Sequence, residues 1–281
     1  MKNFKNKVAA ITGAGSGMGQ QLAVLLAKAG CHVSLSDVNE KGLAETVELV
    51  KPYNVRVTSK KVNVAKLEEV RTWAEETVQN HGSVNMIFNN AGVALGSTVE
   101  GSNYEDLEWI MGINYWGVVY GTKEFLPYLK KTGEGHIINT SSLFGLTAQP
   151  TQSAYNSTKF AVRGFTESLR QELDIENSGV SALSVHPGGI RTNIANDARM
   201  SDSIKSMGMN PEKSAKAFNK LLRMPAEEAA QQILDAVLKN KRRLLIGNDA
   251  KTLDLIQRVL PTGYQRITAM ATKLSKRLEP K

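Results

Sequence analysis

Apolar positions along the first half of the chain switch between two periods. Short β-branched runs at 8–12, 32–36, 55–59 and 84–88 read as buried strands. Between them, 17–29, 40–50 and 66–80 space their apolar residues every three or four positions, the period of an amphipathic helix. The same alternation predicts a long helix over 104–131, a fifth strand at 135–140 and a helix from the Tyr155 region to about 175. A sixth strand at 180–185, a helix over 226–239 and a seventh strand at 244–246 complete the series. Strands joined through helices of this length need right-handed crossovers. The expected fold is therefore α/β: a doubly wound, mostly parallel seven-stranded sheet with helices on both faces. No linker or repeat divides the 281 residues, so one domain is expected. Two stretches break the pattern, 193–225 and the tail from about 250 to 281.

Composition narrows the class without naming it. Hydrophobic content of 41% and charged content of 22% are those of a water-soluble globular chain. The first residues lack a signal-peptide pattern and no window is apolar enough to span a bilayer, so the chain is expected to be cytoplasmic. One cysteine, Cys31, excludes an internal disulfide and reads as packing in a strand. The net charge of +8 resides in the tail. Residues 239–281 carry eleven lysines and arginines against Asp249, Asp254 and Glu279, and the remainder is near neutral. That distribution argues against a nucleic-acid-binding body.

Three local patterns carry chemistry. After the first strand, Thr12-Gly13-Ala14-Gly15-Ser16-Gly17-Met18-Gly19 opens into a helix, where glycines let backbone amides approach a pyrophosphate. Asp37 ends the second strand. A carboxylate there accepts both adenosine-ribose hydroxyls and repels a 2′-phosphate, so NAD is expected over NADP. Tyr155 and Lys159 stand four apart, one helical turn from each other. A tyrosine with a pKa of about 10 acts as a base near neutrality only when a neighbouring cation favours its phenolate, and Lys159 is placed to do so. Ser142 precedes the pair across a turn-like segment and offers a hydroxyl beside the phenol.

Together with Asn89-Asn90-Ala91-Gly92, Asn114 and Pro187-Gly188, these residues resemble, in order and spacing, the single-domain branch of the short-chain dehydrogenase/reductase family over roughly 5–247. The resemblance implies a Rossmann-like fold and NAD(H)-dependent interconversion of a secondary alcohol and its ketone. It implies that Gly13, Ser16, Gly17, Met18 and Gly19 hold the cofactor's phosphates and ribose. Asn63 and Val64, where the family usually has Asp-Val, would border the adenine. Asn90, Ala91 and Gly92 would border the cofactor, and Pro187, Gly188, Ile190 and Thr192 would meet the nicotinamide end. Tyr155 would transfer the proton, with Lys159 lowering its pKa and holding the ribose. Ser142, thirteen residues before Tyr155, would hydrogen-bond the substrate oxygen, and Asn114 would support a water-linked proton path. No metal enters this chemistry.

The substrate wall is expected from Val93, Leu95, Leu143, Phe144, Gln149 and Gly189, largely apolar and without a cation to clamp a carboxylate. The stretch 193–225, with Met200, Met207 and Met209, reads as an apolar lid. A small apolar alcohol or ketone is the expected substrate, and a homo-tetramer or homo-dimer the expected assembly. In the tail, Leu253, Leu255, Ile256, Val259 and Leu260 form one apolar stripe and Ile267, Met270, Leu274 and Leu278 another. Packing on a second subunit or over the pocket is preferred to rest on an anionic membrane. Two other readings are NADP-dependent carbonyl reduction and a non-catalytic dinucleotide sensor or scaffold. The complete set of Asn114, Ser142, Tyr155 and Lys159 weighs against the sensor.

Overall fold

The computed structural model describes residues 1–277, with side chains to 274; Leu278 of the second tail stripe lies outside the described residues. Its sheet strands are β1 (Val8–Thr12), β2 (His32–Asp37), β3 (Val57–Lys61), β4 (Met86–Asn89), β5 (Gly135–Thr140), β6 (Val180–Pro187) and β7 (Arg243–Ile246). They pair in the order β7-β6-β5-β4-β1-β2-β3, every pair parallel. The helices are α1 (Gly17–Lys28), α2 (Glu40–Val50), α3 (Leu67–His81), α4 (Tyr104–Met111), α5 (Gly117–Lys131), α6 (Ser153–Glu176), α7 (Pro211–Leu221), α8 (Ala226–Leu238), α9 (Asn248–Val259) and α10 (Gly263–Arg277).

Strand alternation sorts the apolar residues into two cores. In β1, Ala9 and Ile11 face α1 and α8, while Val8 and Ala10 face α3, α5 and α6. Both faces are buried, which is why these strands read as continuous apolar runs rather than an alternation. On the second face Trp73 meets Phe125 edge-on at 4.9 Å and donates from its indole nitrogen to Ser34 Oγ at 3.0 Å. Cys31 is fully buried, and burial pushes its thiol up to about 12, as befits an inert packing residue.

Two of the departures from the sequence pattern have visible reasons. The third strand starts at Val57 rather than 55, because Lys51–Tyr53 form a 3₁₀ turn that ends on Asn54 in the left-handed region. The helix expected over 104–131 is broken by a π turn at Gly112–Trp116. That turn carries Asn114, whose side chain satisfies backbone outside its own helix, and π turns of this kind concentrate at functional sites.

The sheet order reverses at β1, which lies between β4 and β2. The crevice outside the carboxyl ends of the strands at such a reversal is where α/β sheets take ligands. A cleft of about 320 Å³ lies there. A second depression of about 440 Å³ lies at the opposite end of the strands, lined by residues such as Asn6, Lys7 and Thr132, far from the residues singled out above.

Candidate active site

The glycine turn builds one wall of the cleft. Gly13 has φ +65, and a Cβ there would stand 2.9 Å from Ala91 Cα. At Gly19 a Cβ would stand 2.0 Å from the Gly13 carbonyl oxygen, so only glycine lets α1 start this close to β1. Ser16 caps α1 without a side-chain hydrogen bond, leaving first-turn N–H groups at Gly17, Met18 and Gly19 for a ligand. Gly13, Ser16, Gly17, Met18, Asp37, Asn63, Val64, Asn90, Ala91, Gly92 and Thr192 line the cleft, with Val93 of the expected substrate wall. Gly19 lies buried beneath it, and Pro187 and Ile190 are buried at its far side.

Polar groups along this wall are committed in an ordered way. Asp37 Oδ2 accepts from Gly15 N at 2.8 Å and Oδ1 from Asn39 N at 2.9 Å, which aims the carboxylate across the turn. Lys61, its register partner on β3, is paired with Glu40. Asn63 Oδ1 accepts from Ala65 N at 3.1 Å. Asn90 Nδ2 donates to Thr12 O at 3.2 Å, while its Oδ1 is buried without a partner. A buried acceptor left unpaired is costly unless a ligand donates to it. An uncapped helix start, an unpaired amide oxygen and a carboxylate at the second strand fit a dinucleotide. Asn89 is turned away, its Nδ2 donating to Thr122 Oγ1 and Asn139 Oδ1 at the strand ends.

The other end of the site gathers on α6. This helix begins after Thr151, a β-branched residue held at φ +64, a strained conformation of the kind found at functional turns. Tyr155 and Lys159 are both buried on its inner face. Lys159 Nζ donates to Thr140 O at 3.0 Å and stands 5.6 Å from the centroid of the Tyr155 ring. Ser142 Oγ accepts from Phe144 N at 3.1 Å and hydrogen-bonds the Tyr155 phenol. Ser141, the alternative serine, is spent on the Lys159 carbonyl at 2.7 Å. Asn114 is fully buried. Its Oδ1 accepts from Val93 N at 2.8 Å, and its Nδ2 donates to Val93 O at 2.9 Å and Thr158 Oγ1 at 3.2 Å. Gly92 lies between Asn114 and Lys159: a Cβ there would be 3.3 Å from Asn114 Oδ1 and 3.4 Å from Lys159 Nζ.

Lys159 does not hold the Tyr155 phenol below its ordinary value in this arrangement. Burial raises the phenol's pKa, and the Ser142 hydrogen bond only opposes that rise. The ammonium is engaged by the Thr140 carbonyl, and burial lowers its own pKa to about 8. The folded value lies below the 10.5 of the free group, so the unfolded chain binds more protons between about pH 8 and 10.5. Stability from this group is therefore gained as pH rises through that window and is lost as pH falls through 8. Denaturant melts at pH 7.5 and 10 should show Lys159→Met closing a gap of about 2 kcal/mol in that pH dependence. An identical pH slope in both proteins would show that burial does not lower this pKa.

Sequence reasoning missed three residues that hold the site. His186, fully buried, donates from Nδ1 to the Ser142 carbonyl at 3.0 Å. Burial lowers its pKa to about 4, so the ring is neutral and the bond to the carbonyl fixes its tautomer, with Nε2 accepting from Ser184 Oγ. Asp249, at the start of α9, accepts from Gly189 N at 2.6 Å, and Gly188 leaves no room for a Cβ against that carboxylate. Tyr264 of α10 is buried, and its hydroxyl accepts from Ala148 N at 3.1 Å. No short motif marks any of them, because each acts across more than forty residues of chain.

Around Tyr155 the side chains are apolar. Ala94, Leu95, Ile110 and Ala154 form a small core with it, edged by Val93, Leu107, Trp109, Phe144, Ile194 and Ala198. Phe144 meets the Tyr155 ring edge-on at 6.2 Å. Leu143 is half-buried beside Phe144. Leu95 lies deeper, in a two-residue strand pairing with Arg199 and Met200. Gln149 acts through its carbonyl, which accepts from Asn156 Nδ2 at 3.2 Å. The backbone of Gly189 is engaged on both sides: its N–H donates to Asp249 and its carbonyl accepts from Arg223 N and Met224 N. Across the site, 193–225 folds into 3₁₀ turns and α7, none of whose residues is fully buried. Phe218 of α7 reaches Phe144 at 6.5 Å between rings. Of the three methionines assigned to this stretch, Met200 packs on Gly96, while Met207 and Met209 are half-buried.

Comparison with known proteins agrees with this geometry. The family model for short chain dehydrogenases matches residues 7–203. SadH of Mycobacterium tuberculosis, named as an oxidoreductase, is 44% identical over 270 residues, 96% of each chain. A short chain dehydrogenase/reductase of Burkholderia phymatum, solved in complex with NAD, superposes with a TM-score of 0.83 at 27% identity, covering 96% of this chain and 97% of that one. An alcohol dehydrogenase of the archaeon Thermococcus sibiricus, complexed with 5-hydroxy-NADP, has a TM-score of 0.70 at 27% identity, over 85% of this chain and 95% of that one. The chain belongs to the short-chain dehydrogenase family of oxidoreductases.

Proposed function

We propose that this protein is an NAD(H)-dependent dehydrogenase that interconverts an apolar secondary alcohol and its ketone. The observation that carries the reading is a buried Tyr155–Ser142–Lys159 group beside a cleft lined by the glycine turn, with apolar side chains packed around Tyr155. The bound dinucleotide supplies the hydride chemistry. Tyr155 takes the hydroxyl proton of an alcohol, or returns a proton to the forming alcohol in the other direction. Ser142 hydrogen-bonds the substrate oxygen, whose charge changes during the reaction. Lys159 would hold the cofactor ribose and supply positive charge next to Tyr155, and Asn114 fixes the Val93 backbone. Gly13 and the α1 N-terminus hold the pyrophosphate, Asn63, Val64 and Asn90 the adenine side, and Ile190 and Thr192 the nicotinamide end.

One solved relative binds NAD and the other an NADP derivative, so the choice of cofactor falls on the ribose end. There Asp37 presents a carboxylate, and the nearest lysine across the strands is paired with Glu40. NAD is favoured. A screen of secondary alcohols of graded size with NAD and NADP tests both parts. Turnover should be found with NAD and should increase with apolar size. Asp37→Asn keeps an acceptor for Gly15 N–H and removes the charge. It should reduce the NAD-over-NADP preference in kcat/KM by roughly ten- to a hundredfold, the worth of a hydrogen bond to a charged group. Absence of turnover with every alcohol and ketone, despite cofactor binding, would favour a non-catalytic sensor. The exposed rings of Trp116 and Phe160 support assembly with a second copy.

A further inference from the structure

The end of the chain is fastened to the body by a few polar ties and one buried edge. Asp249 holds Gly189, Ala250 is fully buried, and Asp254 is buried against Arg243 and Arg258. Tyr264 holds Ala148. What these ties leave outside is apolar. Leu255, Val259, Leu260, Ile267, Met270 and Leu274 are each at least 44% exposed. Leu255 and Val259 are four apart on α9, and Ile267, Met270 and Leu274 follow a three-and-four spacing on α10, so each helix turns an apolar stripe outward. Pocket closure accounts for Tyr264 and leaves this stripe without a partner.

Charge decides what covers it. Between 250 and 274 the cations Lys251, Arg258, Arg266 and Lys273 are exposed, and the one acid, Asp254, is buried. A second copy docking through the same face would bring these cations against their own counterparts, since a two-fold interface is self-complementary. An anionic lipid surface meets both properties at once. Aliphatic side chains enter the acyl boundary while lysine and arginine stems reach back to the headgroups. Among the described residues no helix is long and apolar enough to cross a membrane, so the segment would lie on the surface. We propose that α9 and α10 form a peripheral docking face for an anionic phospholipid bilayer. The same helices hold Gly189 and Ala148 on the substrate side, so docking would set the pocket's apolar wall close to the lipid.

The inference rests on this face and not on the reaction proposed above. Flotation of the full chain with phosphatidylcholine vesicles, with and without phosphatidylglycerol, tests it. Binding should be at least about tenfold stronger to the anionic vesicles and should fall with added salt. Ile267→Glu/Met270→Glu and Arg266→Glu/Lys273→Glu should each reduce it about tenfold. All four side chains are exposed, so an unchanged melting temperature should accompany both variants. Equal, negligible flotation with both compositions would overturn the proposal, as would binding that neither variant changes. Loss of a dimer in the apolar variant, with no vesicle binding by the parent, would assign the face to a second copy and likewise overturn it.

Discussion

Tyr155→Phe should abolish turnover, lowering kcat by about three orders of magnitude, within the range of roughly 10²–10⁴ that general acid–base catalysis contributes. The substitution removes one hydroxyl and leaves the ring against Phe144 and the small apolar core intact. The fold should therefore persist. Cofactor binding, followed by quenching of tryptophan fluorescence, should change by less than a few fold, because the glycine turn, Asp37 and Asn90 line a cleft that the Tyr155 side chain does not line. The two measurements together separate a chemical role from a structural one. Residual turnover within tenfold of the parent would remove Tyr155 from the proton transfer. Loss of cofactor binding along with turnover would show that its role is to shape the site.

Gly19→Ala should cost both stability and cofactor binding. Alanine is the better helix former by about 1 kcal/mol, so propensity alone predicts a gain. Sterics oppose it. The added Cβ would stand 2.0 Å from Gly13 O and 2.8 Å from Asn90 Nδ2, forcing the first turn of α1 away from β1. Overpacking of this kind costs about 1–3 kcal/mol, and here the displaced atoms are the first-turn amides proposed to hold the pyrophosphate. A drop in melting temperature and at least about a tenfold loss of cofactor affinity are expected. Gly164→Ala is the internal control. It stands on the exposed side of α6 with nothing within 4 Å of its Cβ position, so there the propensity gain should be seen unopposed. If both substitutions behave alike, the close approach of α1 to β1 is not what the glycine protects.

Legibility in the sequence followed the range of the interaction. Tyr155 and Lys159 share a helix, and their spacing alone put them on one face. The glycine turn is likewise local, since eight consecutive residues carry both the tight turn and the helix start. Asn63 and Asn90 were legible only through family resemblance. Their partners, Ala65 for one and the β1 backbone for the other, give no periodic signal. The π turn at Asn114 was hidden because its apolar pattern is that of a continuous helix. What distinguishes it is a pair of hydrogen bonds to Val93, twenty-one residues away.

Seven apolar runs separated by amphipathic helices determined the doubly wound sheet from sequence alone, while the glycine turn and the tyrosine–lysine pair were marked by short local motifs. Each rests on residues within a few positions of one another, where the backbone period fixes which side chains meet. The tertiary structure alone decided the rest. It placed the neutral His186 beneath Ser142 and tied Asp249 and Tyr264 to the substrate side. It also engaged Lys159 with the Thr140 carbonyl and buried the Tyr155 phenol, and that burial raises the phenol's pKa. Burial and desolvation belong to the packed molecule, and no spacing along the chain encodes how much water a group loses when strands distant in sequence close around it.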